Sequence, residues 1–146
     1  MTTNYRLVYH SLNRIVGTDE QVEAEINGIL AASRTNNSKV GVTGALMFNS
    51  GYFAQVLEGA QGAIEATFER IQRDERHGAV TLLEFSPVEG RGFSNWSMAF
   101  IGSSAAHSAR FGDLAKTTGF DPGRLSGEAL FRSIHDVLMS EDFAAA

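Results

Sequence analysis

Gly51-Tyr52-Phe53-Ala54-Gln55-Val56-Leu57-Glu58-Gly59 reads as a buried strand with one amide set among apolar neighbours. A buried amide without partners costs on the order of 1–3 kcal/mol. Gln55 therefore needs groups that occupy its donor and acceptor sites. Tyr9, in Tyr5-Arg6-Leu7-Val8-Tyr9-His10, is a second polar tip on a strand and a candidate partner. A phenol beside an amide, both facing a cavity, makes a short hydrogen-bond relay to a ligand. The same pair can equally be a satisfied structural contact.

Outward from this strand, residues 41–48 form its neighbour, joined to 52–58 through the hairpin signal Asn49-Ser50-Gly51. Residues 5–10 alternate as a first strand. Thr18-Asp19-Glu20-Gln21 fits a capping box, in which the threonine oxygen takes the backbone N–H of Gln21. Val22, Ile26, Ile29, Leu30 and Ser33 fall on one face of the helix it opens, and the polar run Thr35-Asn36-Asn37-Ser38 predicts a stop near Arg34. A second helix is expected over 61–74, with Ile64, Phe68 and Ile71 as its core stripe. Residues 79–86 and 95–101 read as two more strands. The first six elements follow the split βαβ order of ferredoxin-like folds. The expected class is α+β: a ferredoxin-like βαββαβ sandwich with an added fifth strand, both helices on one sheet face, and two C-terminal helices.

The chain divides into a core over 1–101 and a helical extension over 102–146. The extension is expected to hold helices near 103–117 and 122–140, the second opened by Asp121-Pro122, since proline is tolerated in a first turn. Leu130, Phe131, Ile134, Val137 and Leu138 form an apolar stripe. It either covers the open sheet face or meets a partner, and the first is favoured because an uncovered face is an apolar patch.

Composition excludes several classes. The 146 residues contain no cysteine, which removes disulfides, thiolate nucleophiles and cysteinyl adducts. A net charge of −5 argues against general nucleic-acid binding, which needs a basic surface. No apolar run approaches a membrane span and no signal peptide is visible, so a cytoplasmic location is the default. His10, His77, His107 and His135 lack metal-ligand spacing and are expected at surface or capping positions.

Several polar residues have no evident structural task. Ser33, Asn36 and Asn37 gather at the end of the first helix, and Arg73, Asp74, Arg76 and His77 at the end of the second. With both helices on one face, the groove between them suits a flat heterocycle with an amide-like edge and a phosphate. Trp96 and Met98 share parity on the last strand; read alone, they are core residues.

In these motifs the chain resembles the BLUF domains, blue-light sensors that use flavin, over roughly residues 5–101. The matching blocks are Leu7-Val8-Tyr9-His10-Ser11, Ser33-Arg34-Thr35-Asn36-Asn37 with Val42-Thr43-Gly44-Ala45-Leu46, the Gln55 strand, Ile71-Gln72-Arg73-Asp74-Glu75-Arg76-His77, and Phe93-Ser94-Asn95-Trp96-Ser97-Met98. The resemblance implies a light-sensing module without chemical turnover that binds a flavin non-covalently, FAD first, with FMN and riboflavin as options. Tyr9 would be the electron and proton donor and Gln55 the amide that rearranges. Asn37 would hold the pyrimidine edge, with Asn36 and Ser33 beside it. Asp74, Arg76 and His77 would supply further polar contacts, and Ile29 and Val56 would pack on the ring. Trp96 and Met98 would exchange places near the glutamine. Asn36 stands where some members carry a bulkier histidine. Residues 102–146 are too few for an output domain, so output would pass to an unidentified signalling protein or through a change of homo-oligomer. The alternative is a small acyl-phosphate hydrolase working with an Arg and an Asn, but no glycine-rich phosphate cradle precedes a helix.

Overall fold

The computed structural model describes residues 3–48, 52–93, 97–101, 127–132 and 134–136. The elements are β1 (Asn4–Asn13), α1 (Asp19–Val40), β2 (Thr43–Phe48), β3 (Tyr52–Ala60), α2 (Gln61–Gln72), β4 (His77–Val88) and β5 (Ala99–Ile101). They build one sheet in the order β4-β1-β3-β2-β5. The first four strands pair antiparallel in the ferredoxin-like arrangement, and β5 joins β2 in parallel at the edge. The expected class is therefore correct.

α1 differs most from the expectation. Its capping box forms as read: Gln21 N donates to Thr18 Oγ1 at 3.2 Å, and Thr18 N donates to Gln21 Oε1 at 2.8 Å. The helix does not stop near Arg34. It runs through Asn36 and Asn37 to Val40 and ends at Gly41, whose φ of 69° is left-handed. Glycine adopts that conformation without penalty. The weak helix propensity of the two asparagines is overridden by tertiary contact, because Asn37 is anchored to Ser97, 60 residues on in the chain.

The alternation of the strands sorts side chains onto two faces. Leu7, Tyr9, Leu46, Phe53 and Leu57 meet Ile26 and Leu30 of α1 and Ile64 of α2. Val8, Ala45, Met47, Ala54 and Val56 lie on the opposite face with Phe93, Ala99, Leu130 and Ile134. Leu130 and Ile134 are fully buried, so the C-terminal helical residues cover the sheet there. The expected helix over 103–117, the Asp121-Pro122 start, Val137, Leu138 and the turn Asn49-Ser50-Gly51 lie outside the described residues. Gly44 allows β2 and β3 to approach: a Cβ there would lie 2.0 Å from Val56 O.

A buried carboxylate ties this second face together. Glu58 is fully buried and takes two N–H groups of the Arg6 guanidinium, each at 2.9 Å from Oε2. It also accepts from Gly92 N at 3.0 Å and Phe93 N at 2.9 Å. The Arg6 guanidinium in turn lies 3.6 Å from the ring centroid of Phe131. One carboxylate thus links β1, β3, the segment after β4 and the C-terminal helical residues. Four charge-assisted donors offset its desolvation.

The last strand is shorter than expected. It begins at Ala99, and Ser97 and Met98 form a bend before it. Strand parity therefore does not govern Met98. His10 and His77 are also not surface residues, at 7% and 8% exposed. His10 lies inside β1, paired with Ala54 on one side and Thr81 on the other, and His77 opens β4. Among the described residues no helix is long and apolar enough to cross a membrane, and no cluster of three metal-ligating side chains occurs.

Candidate functional site

A cavity of about 170 Å³ opens between α1, α2 and the sheet. Its floor is a row across three adjacent strands: Tyr9 on β1 pairs with Gln55 on β3, which pairs with Leu46 on β2. Ile29, Ala32, Ser33, Asn36 and Asn37 line it from α1. Thr67, Arg70 and Ile71 line it from α2, with Asp74, Arg76 and His77 beyond.

The Tyr9 hydroxyl donates to Gln55 Oε1. Gln55 Nε2 faces the other way, 3.6 Å from Met98 Sδ. Tyr9 is 2% exposed and Gln55 4%. Burial, and after it the negative charge of Asp74, push the Tyr9 phenol far above its ordinary pKa. The phenol is held protonated, with its proton on the relay bond. Tyr9 is wedged by Phe68, at 5.3 Å between ring centroids, and by His77, at 6.2 Å. His77 is locked at both nitrogens, with Nε2 donating to Ile71 O at 2.7 Å and Nδ1 2.7 Å from Ser11 Oγ.

Asp74 and Arg76 form a tight fork at one end. Arg76 Nε lies 2.9 Å from Oδ1 and Nη2 lies 2.6 Å from Oδ2, while Arg76 N donates to Oδ1 at 2.9 Å. Arg76 reaches Glu25 at 3.4 Å. The hydrogen bonds from Arg76 hold the Asp74 carboxyl below its ordinary pKa against an opposing desolvation. The same bonds to Asp74 raise the Arg76 guanidinium. Arg70 lines the cavity, exposed, and makes no ion pair among the described residues.

Of the residues read from the sequence, Tyr9, Ile29, Ser33, Asn36, Asn37, Gln55, Asp74, Arg76 and His77 are brought together around this cavity. Val56 is not: its side chain lies on the opposite sheet face with Ala45 and Ala54. The reason is parity, since a strand turns neighbours to opposite faces and Gln55 already takes the cavity side. Met98 touches Gln55 without lining the cavity, and Trp96 lies outside the described residues. Ala32, Leu46, Phe53, Thr67, Arg70 and Ile71 were not foreseen as lining residues. Helical spacing from Ile29 and Ser33 points to Ala32, and strand parity with Gln55 points to Phe53.

The donor set fits a flavin. Ile29, Leu46, Phe53 and Ile71 offer apolar walls for a flat ring. Asn37, 1% exposed, gives Nδ2 to Ser97 O at 2.8 Å, while its Oδ1 has no hydrogen bond among the described residues. An imide edge presents the donor that such an oxygen needs. Asn36 adds a second amide and Arg70 a free cation.

Fold and site together define a ferredoxin-like module with a cavity between its two helices. The family described as sensors of blue-light using FAD, BLUF, matches residues 5–99, and the chain belongs to it. Its members bind flavin, and the matched region is a light sensor rather than an enzyme domain. The structure of BlrB, a BLUF protein in its dark state, superposes with a TM-score of 0.77 at 29% identity, covering 94% of this chain and 98% of that one. BlsA in its photo-activated state gives 0.76 at 28% identity, covering 92% and 94%. Photoactivated adenylate cyclase subunit beta of Euglena longa is 36% identical over 75 residues, half of this chain. The match spans only 9% of that curated relative's length. The acyl-phosphate hydrolase alternative is not favoured.

Proposed function

We propose that this chain senses blue light by a proton-coupled electron transfer from Tyr9 followed by re-pairing of the Gln55 amide. The observation that carries this reading is the Tyr9–Gln55 hydrogen bond on the cavity floor, with Met98 on the far side of the same amide. Bound flavin would supply blue-light absorption and an electron-accepting ring. Tyr9 gives up one electron, and its oxidised phenol becomes a strong acid. The proton leaves along the existing bond to Gln55 Oε1, while Gln55 Nε2 can pass a proton towards the ligand. The amide then presents its donor and acceptor in exchanged positions, and its contact with Met98 Sδ is lost. The re-paired amide would offer the bound ring a different hydrogen bond, and a donor that stabilises its excited state more than its ground state would give a small red shift.

Asn37, Asn36 and Ser33 hold the ligand from α1, and Asp74, Arg76 and His77 close the opposite end. The signal leaves through the segment carrying Met98 and the C-terminal helical residues, to a separate signalling protein or a change of self-association. Support for that route comes from the packing of Phe93, Leu130 and Ile134 in one cluster under β3. Absorption spectra of the flavin-loaded protein before and after blue light test the reading. A reversible red shift is expected; an unchanged spectrum refutes it.

A further inference from the structure

α1 grips the segment that carries Met98 by two successive carbonyls. Asn37 Nδ2 donates to Ser97 O at 2.8 Å, and Arg34 Nε donates to Met98 O at 3.1 Å. The two donors are three residues apart on the helix, so they stand on neighbouring positions of one face. The gripped segment is a bend followed by only three residues of edge strand. Met98 is nevertheless 2% exposed, with Sδ 3.6 Å from Gln55 Nε2.

The two donors differ in one respect. Asn37 lines the cavity and serves ligand and segment at once, whereas Arg34 does not line it. Arg34 forms no ion pair among the described residues, and Met98 O is its one hydrogen-bond partner there. A guanidinium donating to a carbonyl is a charge-assisted bond with fixed direction. Its chemistry is spent on the position of Met98 and not on the ligand.

We propose that Arg34 is a positioning residue: with Asn37 it fixes where Met98 sits against Gln55, and so sets how fast that contact re-forms after light. The proposal rests on the reading of Gln55 as the light-driven amide. Without the Arg34 tether the bend samples more placements, and Met98 must find the amide from a wider ensemble, a loss of preorganisation.

The test uses the full flavin-loaded chain with Arg34→Ala and Arg34→Lys, the second restoring a cationic donor. Trp96 is the single tryptophan and lies two positions before Met98 in the sequence, so its fluorescence is the probe used. Two quantities are read: acrylamide quenching of Trp96 fluorescence in the dark, and the rate at which the absorption shift decays after a blue pulse. From the net worth of one hydrogen bond, Arg34→Ala should slow the decay roughly three- to tenfold, and it should raise the quenching constant. Flavin affinity should stay within about twofold of wild type, and Arg34→Lys should return both readouts towards wild type. Unchanged quenching in Arg34→Ala overturns the proposal. So does an Arg34→Lys variant as altered as Arg34→Ala, because a lost donor would then not be the cause. A wild-type protein with no light-induced shift would instead refute the photoreceptor reading, and the dark quenching would still decide the role of Arg34.

Discussion

Tyr9 and Gln55 face each other as direct cross-strand partners on β1 and β3, and the phenol of one donates to the amide oxygen of the other. The register of the two central strands alone brings them together. The relay therefore spans two strands that are each paired on both sides, and the part of any switch free to re-pair is the amide itself or what it touches.

Gln55→Leu should bind flavin and show no light-induced red shift. Leucine keeps similar volume on the cavity floor but offers neither donor nor acceptor. Titration with flavin and a light-minus-dark spectrum check both halves. A normal shift in this variant would remove Gln55 from the mechanism.

Tyr9→Phe should bind flavin and lose the normal photocycle. It also strands Gln55 Oε1 in a buried site, at a cost of about 1–3 kcal/mol in stability by denaturant titration. Tyr5 is the internal control: it lies on the same face of β1 but packs on Phe85, 5.5 Å between centroids. Tyr5→Phe should cycle normally. The reverse pattern in the two variants would mean that Tyr5, and not Tyr9, is the electron donor.

Asn37→Ala should weaken flavin binding about ten- to a hundredfold, from the loss of one buried partner. Because Asn37 also holds Ser97 O, the variant should raise the exposure of the following segment in hydrogen exchange. Unchanged affinity at limiting flavin would contradict the role.

Acidification should weaken the Asp74–Arg76 fork. The folded pKa of Asp74 lies below its ordinary 3.8, so its stabilisation is complete above that value and fades as pH falls through the lower folded value. The melting temperature of wild type should exceed that of Asp74→Asn near neutrality, and the gap should close below about pH 4. A gap that stays constant down to pH 2 would show that the fork is not what separates them.

Glu58→Ala should be strongly destabilising, by about 3–5 kcal/mol, since it leaves Arg6 and two backbone N–H groups without their buried acceptor. Glu58→Gln keeps one acceptor oxygen and should cost less. Chemical denaturation midpoints measure both. Equal and small losses would mean that water replaces the carboxylate.

The element order, the capping box at Thr18 and the core stripes of both helices were legible because each is a local pattern within a few residues. The Tyr9 and Gln55 candidates were legible for a related reason: a polar tip in an apolar strand needs a partner. Val56 shows the limit of reading by resemblance alone. Its parity with Gln55 places it on the other face, and the alternation rule outranks the likeness. The helix end was misread at Thr35, where local propensity pointed to a loop and Gly41 supplied the true stop.

By itself the sequence determined the ferredoxin-like order of strands and helices, the two-faced sheet, and the polar candidates Tyr9, Asn37 and Gln55 that the fold brings to one cavity. Periodicity carries that information, and burial of apolar faces leaves little choice in how the layers stack. Only the tertiary structure decided that Glu58 gathers Arg6, Gly92 and Phe93 around one carboxylate, and that Arg34 and Asn37 hold successive carbonyls beside Met98. Those bonds join residues 34 to 64 positions apart in the chain. No local pattern announces them, because each is chosen by which buried polar groups the packed layers bring within reach and must satisfy.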